Sequence, residues 1–304
     1  MRIATNTVTQ SMLDQIQKLS MQKAKLQNQV STNQKLTLPE DDPAAYGRVI
    51  ALDTESSQLS QFQANATRAL DVSQATYSGL QDIKKISDRA GEIATLGAGT
   101  SSSDSYKAYA EEVNQLIEQA VQLGNSKLRD DYLFSGTAVS TVPYIAARDA
   151  AGDITSVAYK GNTSQSTIQL SELSGIAPGS SATTNTGLAD AAGTSGFLNN
   201  LIALRDALNS GSSSAVSTAQ ASLEGSENML VNSLSEQGAV QLRIEVSQSQ
   251  QGTRATNIES LISKETDADL ATSATKLSQV STAYEAALSS ATKIMQTTLL
   301  DYLK

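Results

Sequence analysis

The 304-residue chain contains neither cysteine nor histidine. Without cysteine there is no disulfide, thiolate nucleophile, zinc ribbon or iron–sulfur cluster. Without histidine the commonest general base and metal ligand are missing, and so is every Ser-His pair. Tryptophan is absent too, aromatics make up 4% of the residues and apolar residues 39%, below the usual apolar share. A compact globule of this length needs larger core side chains. The composition suits a thin helical body, or one whose core is completed by other chains. With a net charge of −9 and a pI near 4.6, no surplus of Lys or Arg exists to displace counterions from phosphates. Nucleic acid is therefore not an expected partner. No apolar run reaches the length of a membrane span, so no membrane insertion is expected. No signal-peptide pattern follows Met1-Arg2-Ile3.

What is present is heptad periodicity at both ends. Met12, Ile16, Leu19, Leu26 and Val30 alternate steps of three and four or their sum, with Lys23 standing where one more apolar residue would continue the seam. Near the C-terminus Leu270, Leu277, Tyr284, Leu288 and Met295 form a second seam, widened by Val280, Ala287 and Ile294. Gln, Ser and Ala dominate the remaining faces. The plain reading is an intramolecular coiled coil that completes the chain's own fold. The functional reading is an assembly seam, because helices with such weakly charged faces can be buried on several sides. Three residues read as helix caps. Asn33 tolerates the left-handed conformation of a C-cap. Asp42 precedes Pro43 as an N-cap precedes the first helical residue. Thr266 opens a capping box before the last seam.

Between the seams, helical spacing runs from about 44 to 96 with a break at 97–99, then over about 106–129, 197–208 and 215–264. The period changes to two between 143 and 173. Strands are expected at 154–159 and 166–170, with turns at 151–153 and 161–162, and residues 174–196 read as loop. The pattern predicts a mainly α fold: a long antiparallel helical rod with paired terminal coiled-coil helices and a small β-rich insert domain at the tip. The expected segments are a terminal helix over 1–42, the first half of the rod over 43–137, the insert over 138–196, the second half over 197–264 and a second terminal helix over 265–304. The insert, bounded by turn residues, is expected to be dispensable for folding of the rod.

Catalytic patterns are weak. The acidic clusters at 40–42 and 267–269 fall at predicted helix starts, where carboxylates cap free amides, and that at 130–131 reads as a solvated turn. Ser-x-x-Lys at 273–276 and 290–293 lacks the companion motifs of acyl-enzymes. No catalytic residue, cofactor or metal is expected, and an enzyme carried on the insert finds no supporting residue pair.

The stretch 30–45, including Leu38-Pro39-Glu40-Asp41-Asp42-Pro43, resembles the bacterial flagellin superfamily at the junction of its two innermost domains. Asn33 stands where that family usually has glycine. The Pro after the Asp pair, Tyr132-Leu133-Phe134-Ser135-Gly136-Thr137, the stretch 267–271 and the ending Leu299-Leu300-Asp301-Tyr302-Leu303 look like its hook-associated protein 3 branch, at the hook–filament junction. The resemblance implies an inner domain of paired terminal helices, a helical domain and a small outward β domain. It implies self-assembly into a ring-like layer, contact with a neighbouring hook-associated protein and with flagellin, and an export chaperone on the C-terminal region. It further implies an extracellular place in the flagellum, reached without a cleaved signal peptide. Filament flagellin itself is the nearest alternative. A chemoreceptor-type signalling coiled coil is more remote, since it would be helical where this chain has strands.

Overall fold

The computed structural model describes residues 2–100, 102–179, 187–190 and 192–302. Among them are six helices, α1 (Arg2–Thr32), α2 (Pro43–Gly99), α3 (Ser103–Gly124), α4 (Phe197–Asn209), α5 (Ser213–Thr266) and α6 (Leu270–Tyr302), and six short strands, β1 (Lys127–Leu128), β2 (Asp131–Tyr132), β3 (Tyr144–Arg148), β4 (Ile154–Tyr159), β5 (Ile168–Gln169) and β6 (Gly175–Ile176). The strands form three separate antiparallel pairs, β1–β2, β3–β4 and β5–β6. The fold is mainly α, and it divides into two compact units: Met1–Gln58 with Arg254–Lys304, and Leu59–Thr253.

The second unit owns the large core. Leu80, Ile83, Ala90 and Ile93 of α2, Val113 and Ile117 of α3, Leu201 and Leu204 of α4, and Val216 and Leu223 of α5 are all buried in one cluster. Helix α2 continues through the expected break to Gly99, and Gly97 serves instead for close packing: a Cβ there would lie 2.6 Å from Leu208 Cδ2 of α4. The segment expected to be a separate insert joins this same core. Tyr144, Ile154, Val157 and Tyr159 are fully or almost fully buried within it. In the β3–β4 pair, Tyr144 lies opposite Tyr159, with ring centroids 5.5 Å apart. A smaller cluster sets Leu170 and Ile176, at the β5–β6 hairpin, against Ala66 and Ala69 of α2 and Ile244 of α5. The segment is therefore not packed apart from the helices: its apolar face is covered by them, and theirs by it.

The motif at 132–137 explains how the chain enters the insert. Phe134 is fully buried, and its carbonyl accepts the Tyr159 hydroxyl at 3.1 Å. Gly136 sits at φ 70°, and a Cβ there would meet Asn162 O at 2.4 Å. Only glycine suits both the backbone and the space. Expected strand 154–159 is β4 as read. Expected strand 166–170 shortens to the two residues of β5, and β6 lies within the segment read as loop, of which 180–186 and 191 are outside the described residues.

Candidate functional site

The first unit is built from two chain crossings and one helix pair. Where α1 ends, Asn33 adopts φ 59°, the left-handed C-cap that its sequence position suggested. Its carbonyl accepts the amide of Ala268 at 2.9 Å, and the Lys35 amide donates to Thr266 O at 2.7 Å. The link after α1 is thereby stitched to the link before α6. Leu36 packs with Ala45 and Val49 into a small buried cluster. Asp42 caps α2 as expected, its Oδ1 accepting the amides of Ala44 and Ala45, both at 3.0 Å. Asp41 has a different task. Its carboxylate accepts Lys25 Nζ at 2.6 Å and the amides of Thr37 and Leu38 at 3.3 and 3.2 Å. The Lys25 contact, followed by the two amides, holds its pKa down at about 2. This one carboxylate pins the crossing to α1. Arg48 and Glu265 form a two-pronged pair, both contacts at 3.0 Å, which draws the Glu265 pKa down and the Arg48 pKa up. Arg254 donates through both Nε and Nη2 to a single oxygen, Glu55 Oε1.

The predicted cap at Thr266 is corrected. Thr266 is the last residue of α5, and its hydroxyl donates back to Ile262 O at 2.9 Å. The N-cap of α6 is Asp269. Its Oδ1 accepts the amides of Ala271 and Thr272 at 3.0 and 3.2 Å, and its Oδ2 accepts the Thr272 hydroxyl at 2.6 Å. Those bonds, led by the Thr272 hydroxyl, lower the Asp269 pKa. The Asp269-to-Thr272 spacing was readable as a cap, but the earlier Thr266 carried the same local signature.

Helices α1 and α6 pack on each other. On α1, Met12, Ile16, Leu19, Leu26 and Val30 are half-buried, and so is Lys23. The cation completes the seam: Lys23 Nζ lies 5.4 Å from the centroid of the Tyr284 ring, a distance at which a ring face attracts an ammonium. On α6 the half-buried line is Leu277, Val280, Tyr284, Ala287 and Ala291, with Ser273 buried at its head. Leu277 and Tyr284 stand on that line as expected. Leu270 and Leu288 are not covered with it: they are 47% and 40% exposed. The side chains of Ile294 and Met295 lie outside the described residues. Leu13 and Met21 of α1 are likewise exposed. Among the described side chains, no apolar residue of α1 or α6 reaches full burial. The pair thus keeps a half-covered seam and carries further large apolar groups on its outside.

Three comparisons bear on this arrangement. Residues 3–138 match the family described as the bacterial flagellin N-terminal helical region. The flagellar hook-associated protein 3 of Salmonella typhimurium is 28% identical over 146 residues, 47% of this chain and 46% of that protein. The chain thus spans about half the length of the curated relatives it matches. Among solved structures, a flagellar hook-associated protein-3 from Legionella pneumophila superposes with a TM-score of 0.60 at 13% identity, over 71% of this chain and 98% of that one. Bacillus cereus FlgL does so with a TM-score of 0.58 at 15% identity, over 70% and 99%. The chain is thus similar in sequence to the bacterial flagellin N-terminal helical region over residues 3–138 and to hook-associated protein 3 over 146 residues, and in fold over most of its length to solved hook-associated proteins.

Proposed function

We propose that this chain is a structural component of the bacterial flagellum, an adaptor layer that joins the hook, through another hook-associated protein, to the flagellin filament. The observation that carries the reading is the half-covered α1–α6 seam of the first unit, in contrast to the closed core of the second. Burying the exposed Leu13, Met21, Leu270 and Leu288 against neighbouring copies would gain roughly 25 cal/mol for each Å² removed from water. Self-assembly into a ring-like layer supplies those neighbours, with the terminal segments 1–42 and 265–304 as its inner part. The reading includes export without a cleaved signal peptide, an extracellular place in the flagellum and a chaperone covering the C-terminal region beforehand. A chemoreceptor-type hairpin is disfavoured by the β3–β4 pair in the middle of the chain. The family match over 3–138 leaves filament flagellin as the second reading.

A deletion strain separates the two. Loss of a junction layer leaves hooks without filaments while flagellin escapes into the medium. Loss of filament flagellin removes the most abundant extracellular protein. If this chain makes up the bulk of sheared filament mass, the junction reading is wrong.

A further inference from the structure

The second unit carries a knob and a hole that its own fold does not bring together. The knob is the tip of the β5–β6 hairpin. Residues 171–174 form a tight turn closed by the Leu170 amide on Ser174 O at 2.8 Å and the Ser171 amide on the same oxygen at 3.1 Å. Leu173 stands on that turn 99% exposed, where Gly, Asn, Asp or Ser is usual, with Glu172 beside it. The hole is a cleft of about 570 Å³ whose wall includes Val72, Leu128, Val139 and Ile168, with Arg68, Arg129 and Asp131 as its charged lining residues. Arg68 makes no ion pair or hydrogen bond among the described residues. Arg129 is held at φ 59° in the turn between β1 and β2. That conformation costs a side-chain-bearing residue about 1–2 kcal/mol, and the fold puts an arginine there rather than glycine. Its nearest carboxylate, Asp71, is 3.7 Å away and half exposed.

We infer that the cleft receives the Glu172-Leu173 hairpin tip of a second copy of this chain. The leucine takes the apolar wall, and the glutamate carboxylate meets the Arg68 guanidinium with Arg129 beside it, the two arginines outweighing the single carboxylate of Asp131 in the lining. Knob and hole are different surfaces, so the contact is head-to-tail. Each copy offers a knob to the next, which closes a ring or continues a helical array according to the rotation between copies. This deepens the self-assembly proposed above and rests on it, but locates a contact in the second unit, away from the terminal helices.

The absence of native cysteine makes the test clean. Full-length Leu173→Cys and full-length Val139→Cys are prepared separately, mixed at high concentration and mildly oxidised. An intramolecular disulfide cannot form. The expected result is a mixed disulfide dimer several-fold above that of Leu173→Cys with Leu242→Cys, an exposed control. A Glu172→Arg change on the knob copy should return the yield to the control level, and Arg68→Glu on the hole copy should restore it in part. Equal yields with cleft and control cysteines overturn the inference. The wider assembly reading is scored separately, by whether chains with altered terminal seams still build flagella, so either can fail alone.

Discussion

The two units solve the problem of burial in opposite ways. The second unit closes a core in which leucines, isoleucines and aromatics from four helices and two strands are almost wholly removed from water. The first relies on a two-helix seam of half-buried residues, a cation over a tyrosine ring, and polar stitching at the crossings. A pair of helices can cover only one face of each partner, so its apolar residues stay partly wet unless further helices arrive. Isolated helices in water are marginal, and most helical stability comes from tertiary packing. The contrast teaches that the insert and the helices of the second unit close a core together, whereas the paired termini leave their apolar seam half covered.

The largest effect should come from removing residues 138–196 and bridging the gap with a short Gly/Ser linker. Tyr144, Ile154, Val157 and Tyr159 would leave the main core, exposing the helix faces they cover. Loss of the cooperative melting transition of the second unit is expected; an unchanged melt by far-UV circular dichroism would show the helices sufficient alone. A single Phe134→Ala change should cost about 3–5 kcal/mol by the same logic, read as a lower denaturation midpoint.

Next in size is Leu26→Asp in the seam. A charge at a half-buried apolar site should weaken α1–α6 pairing by about 2 kcal/mol and prevent assembly, while the second unit melts as before. A mutant that still builds normal flagella would show that the seam is not needed for assembly.

Asp41 gives a smaller, pH-dependent effect. Its pKa falls from an unfolded value of 3.8 to about 2 in the folded chain. The folded state therefore binds the proton less tightly. The stabilisation is complete above 3.8 and is lost as pH falls from there toward 2. Hydrogen exchange of the Thr37 and Leu38 amides should rise across that window relative to the second unit, and Asp41→Asn should flatten the dependence. The smallest effect is that of Tyr284→Leu. It keeps the apolar body and removes the ring beneath Lys23, costing about 0.5 kcal/mol or slightly more. No change in α1–α6 stability would mean that Lys23 gains nothing from the ring.

The α1 seam was legible position by position, because a heptad is a local constraint and Lys23 kept its place in the register. The α6 seam was legible only in part. Leu277, Val280, Tyr284, Ala287 and Ala291 were read into the seam and are half-buried there, but Leu270 and Leu288 were read into it too and are exposed, while the buried Ser273 was missed. A small polar side chain such as Ser273 leaves no trace in a hydrophobic pattern even where it is buried. Asn33 and Asp42 were readable because a positive φ and an N-cap each follow from one residue type. Thr266 misled because its hydroxyl can bond backward into its own helix as readily as forward. The shared core of insert and helices was not readable, since nothing local says that the strand at 154–159 packs on α3 and α4.

Hydrogen exchange on the dilute full-length chain tests the difference between the units most directly. Amides of Ile83, Ile93, Val113 and Ile117 should exchange only at the rate of global unfolding. Those of residues 12–30 and 277–288 should exchange orders of magnitude faster in the monomer and become protected on assembly. Strong protection of Leu277 through Leu288 in dilute monomer would contradict the account, because the helix pair would then be stable without any neighbour.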